Sequence, residues 1–150
     1  MSQRAVEDFL HRHSKIGIDT NILVFEVEEN PKYVRLVDPI FLWLLKSGSH
    51  AVTSTITMLE VLVRPYRRLD MERVADYYAL LSTYPNLEWI APTLEIAGRA
   101  ARLRAEHNLG TPDAIQAATA LTAEASGLIS NDITFRRLHE LDVLILDDLA

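Results

Sequence analysis

Ile16-Gly17-Ile18-Asp19-Thr20-Asn21 is a short apolar run that ends in an acidic turn and a helix start, as at the end of a strand in an α/β fold. Similar junctions stand at residues 57–60, 111–114 and 129–132, and each carries an acid. If the apolar runs are parallel strands, the turns after them share one edge of the sheet, where open α/β folds bind ligands. The sequence therefore predicts that four acids from distant parts of the chain converge: Asp19, Glu60, Asp113 and Asp132.

Such a group of carboxylates needs a counter-charge. Two carboxylates about 5 Å apart repel each other by ~3 kcal/mol at an effective dielectric constant of about 20. Either protons or a cation must offset this repulsion, and oxygen ligands favour a hard divalent cation at neutral pH. The pattern therefore favours a metal site built from carboxylates.

Each acid also has a purely structural interpretation. Asp19 and Asp132 could cap helix N-termini, where aspartate is favoured. Asp113 follows Thr111-Pro112 and could interact with the helix dipole, while Thr57 and Glu60 fit the spacing of a capping box. Capping alone does not explain why each acid lies just beyond a strand, and a capping side chain can still face the ligand crevice.

The composition is that of one globular domain. The chain has 150 residues, of which 49% are apolar and 24% charged, which excludes intrinsic disorder. It has no cysteine, which excludes disulfides, thiolate zinc sites and a cysteine nucleophile. Residues 1–14 do not resemble a signal peptide, and no apolar run approaches the ~20 residues of a membrane helix. We therefore expect a cytoplasmic protein without a membrane partner.

The net charge of −6 at first argues against a polyanionic partner. The objection weakens if the acids bind metal, since two Mg²⁺ ions would leave a net charge of about −2. The basic residues are also clustered, around Arg64, Arg67 and Arg68 and around Arg99, Arg102 and Arg104. These clusters are either nucleic-acid contacts or ordinary solvated helix faces.

Short apolar runs alternate with helical patterns along the chain, which indicates a mainly parallel sheet with helices on both faces. Alanines crowd the helix after Gly110, so this helix can approach the sheet closely. The pattern predicts strands at residues 16–18, 51–53, 87–90, 127–130 and 143–146. It predicts helices at residues 5–13, from Pro31 to Leu45, from Thr57 to Arg64, at 70–83, from Pro92 or Thr93 to His107, from Pro112 after a Thr111 cap, and at 132–138.

Four segments, taken in order, resemble the motifs of PIN-domain nucleases, and above all those of the VapC-like toxins of toxin–antitoxin pairs. The segments are residues 18–23, 57–62 around Glu60, Pro112-Asp113-Ala114, and Asn131-Asp132 with Phe135. The resemblance runs from about Lys15 to the end of the chain. It implies a three-layer α/β/α sandwich with a PIN-like nuclease domain at residues 15–150, preceded by an N-terminal helical extension at residues 1–14.

The resemblance also implies a function, that of a Mg²⁺- or Mn²⁺-dependent endoribonuclease. Asp19, Glu60, Asp113 and Asp132 would be the metal-binding and catalytic acids. Side chains next to these motifs would support the ligands or contact the substrate: Thr20, Asn21, Asn131 and Thr134. The expected partners are an RNA substrate, a cognate antitoxin and a second copy of the chain. Apolar helix surfaces could supply the dimer face, or could be ordinary core: Val34, Val37, Phe41, Tyr77, Tyr78 and Leu81.

Other functions remain as alternatives. The chain could be a solitary PIN nuclease that processes RNA, or a PIN-fold binding module without activity. A phosphatase of the haloacid-dehalogenase type would have a second aspartate where this chain has Asn21, and a receiver domain would have a lysine near a late strand. The five histidines form no His-Glu-x-x-His motif, and the chain has no Gly-x-Ser-x-Gly elbow and no phosphate-binding loop.

Overall fold

The computed structural model describes residues 2–149 and shows a five-stranded sheet in which every pairing is parallel. The strands lie in the order β3-β2-β1-β4-β5. Because β1 lies at the centre with β2 and β4 beside it, the segments that follow these three strands are neighbours at one edge. The strand bounds are β1 Lys15–Ile18, β2 His50–Ser54, β3 Leu87–Ile90, β4 Gly127–Ser130 and β5 Asp142–Ile145.

Seven α-helices and two short 3-10 helices connect and cover the strands in the described residues. The α-helices are α1 Ser2–Arg12, α2 Thr20–Val27, α3 Val34–Leu44, α4 Ile56–Arg67, α5 Met71–Ser82, α6 Leu94–His107 and α7 Thr111–Thr122. The 3-10 helices are Ile133–Arg137 and Leu146–Asp148.

Two hydrophobic clusters show that the sheet is covered on both faces. One cluster joins apolar side chains of α1, α2 and α3 to Ile16 and Ile18 of β1. The other joins α6 and α7 to Val52 of β2 and Leu128 of β4. The predicted three-layer α/β/α sandwich with a mainly parallel sheet is therefore confirmed.

Helix α7 approaches the sheet as closely as its alanines predict. A Cβ atom on Gly17 would lie 2.8 Å from Cβ of Ala120 and 2.9 Å from a methyl carbon of Leu128. Real Cβ atoms do not come that close, so only glycine fits at this position of β1. The close packing fixes the helix that carries Asp113 against the strand that precedes Asp19.

Helix α1 packs into the same apolar cluster as α3, through Val6, Phe9 and Leu10. The residue after it, His13, bonds to Ser126 Oγ through Nδ1 at 2.7 Å and to Asp142 Oδ2 through Nε2 at 2.6 Å. These contacts tie the N-terminal helix to the sheet. The division into an extension at residues 1–14 and a domain at 15–150 stays a prediction.

Four predicted helix boundaries differ from those observed. Helix α3 begins at Val34, because residues 31–33 form a turn in which Pro31 lies. Helix α4 continues through the buried Pro65 to Arg67, so packing overrides the local effect of proline. The stop after α6 is Asn108, which adopts the left-handed conformation with φ of 54°, and Gly110 is the cap of α7 in place of Thr111.

The apolar residues considered for a dimer face are mainly core. Val37, Phe41 and Leu81 are buried, whereas Tyr78 is 55% exposed. In the described part of the chain, no helix is both long and apolar enough to cross a membrane.

Candidate active site at the carboxyl ends of the strands

Asp19 directly follows β1 and is 5% exposed. Its Oδ1 accepts a hydrogen bond from the backbone N–H of Thr20 at 2.8 Å, so it does cap α2. Its Oδ2 accepts a bond from the Ser130 hydroxyl at 2.7 Å and a longer one from Asn21 Nδ2 at 3.4 Å. Asp19 therefore caps α2 and also lies close to the other acids, so both interpretations of this residue are correct.

The environment of Asp19 opposes its ionised form. Burial and the negative charges of Glu60 and Asp132 together raise its pKa to about 6, although the bonds from Ser130 and Thr20 act in the opposite direction. These donors are neutral, so they orient the carboxylate without neutralising its charge.

Asp113 lies in the first turn of α7 and interacts with the other three acids. Burial raises its pKa to about 7, together with repulsion from Asp19, Asp132 and Glu60 and a hydrogen bond shared with the Asp132 side chain. Asp132 is held in place by its neighbours, because its Oδ1 accepts from the Thr134 backbone N–H at 2.9 Å. The structure therefore brings Asp113 and Asp132 into direct contact.

Glu60 lies on α4, one turn inside the helix. Its Oε1 accepts a hydrogen bond from the Thr20 hydroxyl at 2.7 Å. The capping-box interpretation of this residue is wrong, because the cap of α4 is Thr55 and Thr57 is buried within the helix. Glu60 therefore faces the start of α2 and contributes its charge to the acids there.

The predicted supporting residues take different positions around these acids. Thr20 and Asn21 contact Glu60 and Asp19 as described, whereas Asn131 turns its Oδ1 away to accept from the Asp147 backbone at 2.7 Å. The backbone of Asn131 still contacts the site, since its N–H donates to Asn21 Oδ1 at 3.2 Å. The Thr134 hydroxyl is buried and has no hydrogen-bond partner within the described residues.

Sequence reasoning missed a buried polar layer beneath the acids. Ser130, the last residue of β4, donates to Asp19 and accepts from the Asp132 backbone at 2.9 Å. Gln116 of α7 donates to the Thr57 hydroxyl at 2.5 Å and to the Thr20 hydroxyl at 3.3 Å. Ser130 could have been found, because it is a polar residue at the end of an apolar strand, but Gln116 has no comparable signal.

The donor set fits a divalent cation. Within the described residues, none of the four acids forms an ion pair with lysine, arginine or histidine. In the same residues, no three of the four acids have oxygen atoms that all lie within 4.8 Å of one another. Glu106, His107 and Glu140, elsewhere in the chain, do have ligand atoms this close. Asp113 and Asp132 are close to each other, so a cation held by three or four of these acids would require only the other side chains to move closer.

Comparison with known families identifies the domain. The PIN domain family matches residues 16–141 of the chain, which is most of its length and includes all four acids. No curated protein matches the sequence.

Solved structures of VapBC proteins and of a VapC toxin have a similar fold. VapBC2 from Rickettsia felis, bound to a DNA fragment from its promoter, has 20% identity and a TM-score of 0.69, covering 87% of this chain and 98% of that one. VapBC-1 from nontypeable Haemophilus influenzae has 22% identity and a TM-score of 0.68, covering 89% and 98%. VapC20 from Mycobacterium tuberculosis, a sarcin–ricin loop cleaving toxin, has 16% identity and a TM-score of 0.62, covering 84% and 98%.

Proposed function

This chain belongs to the PIN-domain family, and on that premise we propose that it is a metal-dependent endoribonuclease and the toxin of a toxin–antitoxin pair. The observation that carries the proposal is the group of four acids at the carboxyl ends of the parallel strands, none of which pairs with a basic residue within the described residues. Burial and the neighbouring acids raise the pKa values of Asp19 and Asp113 to about 6 and about 7, and shifts of this kind are common at functional sites. A cytoplasmic location is part of this proposal, since it is consistent with an RNA substrate.

Asp19, Glu60, Asp113 and Asp132 would hold Mg²⁺ or Mn²⁺ through their oxygen atoms. When bound, the metal lowers the pKa of an attacking water and stabilises charge on the leaving oxygen of the phosphodiester. Ser130 and Thr20 orient the carboxylates of Asp19 and Glu60 through the bonds already described. This orientation holds the ligand oxygens in place before the metal arrives.

Proton transfer is the second task of the acids. Burial and the neighbouring acids raise the pKa of Asp113 to about 7, and this carboxyl lies next to that of Asp132. A carboxylate with such a pKa is well matched to accept a proton from water near neutral pH. We assign this role to Asp113 or to Asp132, and no protein nucleophile is needed.

The proposal is tested by incubating the purified chain with total RNA, with and without Mg²⁺ or Mn²⁺, and mapping the cleavage ends. We expect defined ends that require the metal and are absent with the Asp113→Asn protein. Asp147→Asn is a matched control, since Asp147 bonds to Tyr33 and Asn131 and to none of the four acids. Equal cleavage by wild type and Asp113→Asn would refute the proposed site.

An antitoxin and a second copy of the chain are the proposed protein partners. The relatives with this fold include VapBC toxin–antitoxin complexes. In this chain, large apolar side chains are exposed on and between α4 and α5, a surface that suits such contacts: Leu59, Tyr66, Leu69, Met71 and Tyr78. Of the residues considered from the sequence, Tyr78 belongs to this exposed face, whereas Val37, Phe41 and Leu81 are buried.

Two measurements test these partners. Sedimentation of the purified chain should show a homodimer at micromolar concentration, and a strict monomer would refute that part. Co-expression with the gene immediately upstream should relieve growth arrest caused by the chain. Arrest that persists unchanged would refute the toxin–antitoxin assignment and favour a solitary RNA-processing nuclease.

A further inference from the structure

A second group of potential metal ligands lies apart from the four acids. Glu106 and His107 are in the last turn of α6, and Glu140 lies in the segment that leads to β5. One ligand atom from each residue lies within 4.8 Å of the other two. A cavity of about 550 Å³ opens beside the group, and none of the four acids lines it.

Packing and hydrogen bonds already orient these ligands. The His107 side chain is 11% exposed, and its Nε2 is 3.1 Å from Oε2 of Glu140. The other oxygen of Glu140 accepts from the His139 backbone N–H at 2.8 Å. The carboxylate is thus held by one oxygen while the other faces the imidazole, an arrangement typical of ligands fixed by their surroundings.

His139 lies beside the group, outside the three ligand atoms that are within 4.8 Å of one another. Its ring meets the His107 ring edge to face, with the centroids 5.7 Å apart, and it also lines the cavity. In the described part of the chain the His139 ring has no hydrogen bond or ion pair. Glu106 accepts from Arg102 Nε at 2.8 Å, so a metal would have to displace this exposed arginine.

We propose that Glu106, His107, His139 and Glu140 form a zinc-binding site. Imidazole nitrogens combined with carboxylate oxygens favour Zn²⁺, whereas an all-oxygen group such as the four acids favours Mg²⁺. Tetrahedral bonds of about 2.0–2.1 Å require ligand atoms about 3.3 Å apart. The glutamate side chains are 46% and 34% exposed and can close this gap, while His107 stays fixed.

The site would link the end of α6 to the segment before β5. Residues 108–110 follow at once, and they lead into α7, which carries Asp113. A metal that fixes His107 to Glu140 therefore braces the turn that precedes a residue of the proposed active site. The metal stabilises the native state, because the unfolded chain does not present these ligands together.

Zinc titration of the full chain tests this proposal, with the melting temperature and X-ray absorption at the zinc edge as readouts. We expect one zinc ion with mixed nitrogen and oxygen ligands and a higher melting temperature. Glu140→Gln and His107→Gln should each weaken binding by roughly 10-fold or more. Because Glu140 is partly exposed, its variant should fold even if the His107 variant does not.

Two controls separate this site from the others. His50→Gln should leave zinc binding unchanged, since His50 pairs with Glu88 at 2.9 Å without a third ligand within the described residues. Asp113→Asn should also keep the zinc, whatever becomes of RNA cleavage. Unchanged binding in Glu140→Gln, or loss of binding in Asp113→Asn, would overturn the proposal.

Discussion

Carboxylates at the two ends of the parallel sheet have opposite electrostatic surroundings. At the amino end, Asp142 accepts hydrogen bonds from His13 at 2.6 Å and from Arg12 at 3.2 Å. These bonds hold its pKa below the ordinary value, even though burial acts in the opposite direction. At the carboxyl end, burial and neighbouring acids raise the pKa values of Asp19 and Asp113 to about 6 and about 7.

The difference shows what each group of acids is for. Asp142 is paired with basic residues from the N-terminal segment, so it joins that segment to the sheet and stabilises the fold. Among the described residues, Asp19 and Asp113 have neutral donors and other acids around them and no basic partner, which costs stability in the absence of a ligand. Such a costly group is typical of a functional site, in line with the metal site that we propose.

The largest expected effect concerns catalysis. Asp113→Asn should lower RNA cleavage in Mg²⁺ by roughly 100-fold or more, because it removes a metal ligand and a candidate base. Asp142→Asn should keep wild-type cleavage, since the hydrogen bonds of the Asp142 side chain go to Arg12 and His13 and not to the four acids. Initial cleavage rates of the three proteins check this contrast, and a similar loss in both variants would remove the distinction between the two ends.

The next effect is stabilisation by metal. Saturating Mg²⁺ should raise the melting temperature of the wild type, since a ligand at about 100 times its Kd adds roughly 2.7 kcal/mol to the native state. Asp19→Asn should show a clearly smaller rise. Thermal scans with and without Mg²⁺ make the comparison, and an equal rise in both proteins would mean that the metal binds elsewhere.

A smaller effect is expected in the metal-free protein. Asp142→Asn should lower the free energy of unfolding by on the order of 1 kcal/mol, because it removes the negative charge that pairs with Arg12 and strengthens the bond from His13. Asp19→Asn should leave it unchanged or raise it, since asparagine also caps helices and relieves repulsion. Urea unfolding measures both values, and a clear loss in Asp19→Asn would make Asp19 a structural cap.

The pH dependence of the metal-free protein is the finest test. The folded pKa of Asp113 lies above its ordinary value, so the folded chain binds more protons than the unfolded chain over that range. The contribution of Asp113 to stability is therefore lost as pH rises from about 4 to about 7. Asp113→Asn should flatten this decline in a series of unfolding curves, and an unchanged slope would contradict the assignment.

The sequence predicted the framework of the site but not its interior. Each strand could be located because an apolar run ends in a polar turn, and Asp19 and Asp132 lie in such turns. The expectation that every acid lies just beyond a strand is wrong for the other two, since Glu60 lies inside α4 and Asp113 lies in the first turn of a helix that follows α6. The contact between Gln116 and Thr57 was not predicted, because both residues lie inside helices and nothing in their spacing shows that they face each other. Their 2.5 Å contact depends on how α7 packs against the sheet, which is a tertiary property.

The helix bounds show the same limit. Proline disfavours helix in the residue before it, yet α4 continues through Pro65 because this ring is buried against its neighbours. Asn108 ends α6 two residues before the glycine that the pattern favoured, since asparagine also tolerates the left-handed conformation. Such local conformational preferences are overridden where tertiary packing stabilises the chain by a larger free energy.

Paramagnetic broadening by Mn²⁺ tests directly for a metal site at the carboxyl ends of the strands, because it locates the bound metal in the folded chain. Substoichiometric Mn²⁺ added to ¹⁵N-labelled protein should first broaden the amide signals of Thr20, Ala114 and Asp132. The signals of His13 and Asp142, at the other end of the sheet, should stay sharp, and Asp113→Asn should abolish the selective broadening. Broadening that begins near Asp142, or that is unchanged in Asp113→Asn, would contradict a metal site at the carboxyl ends of the strands.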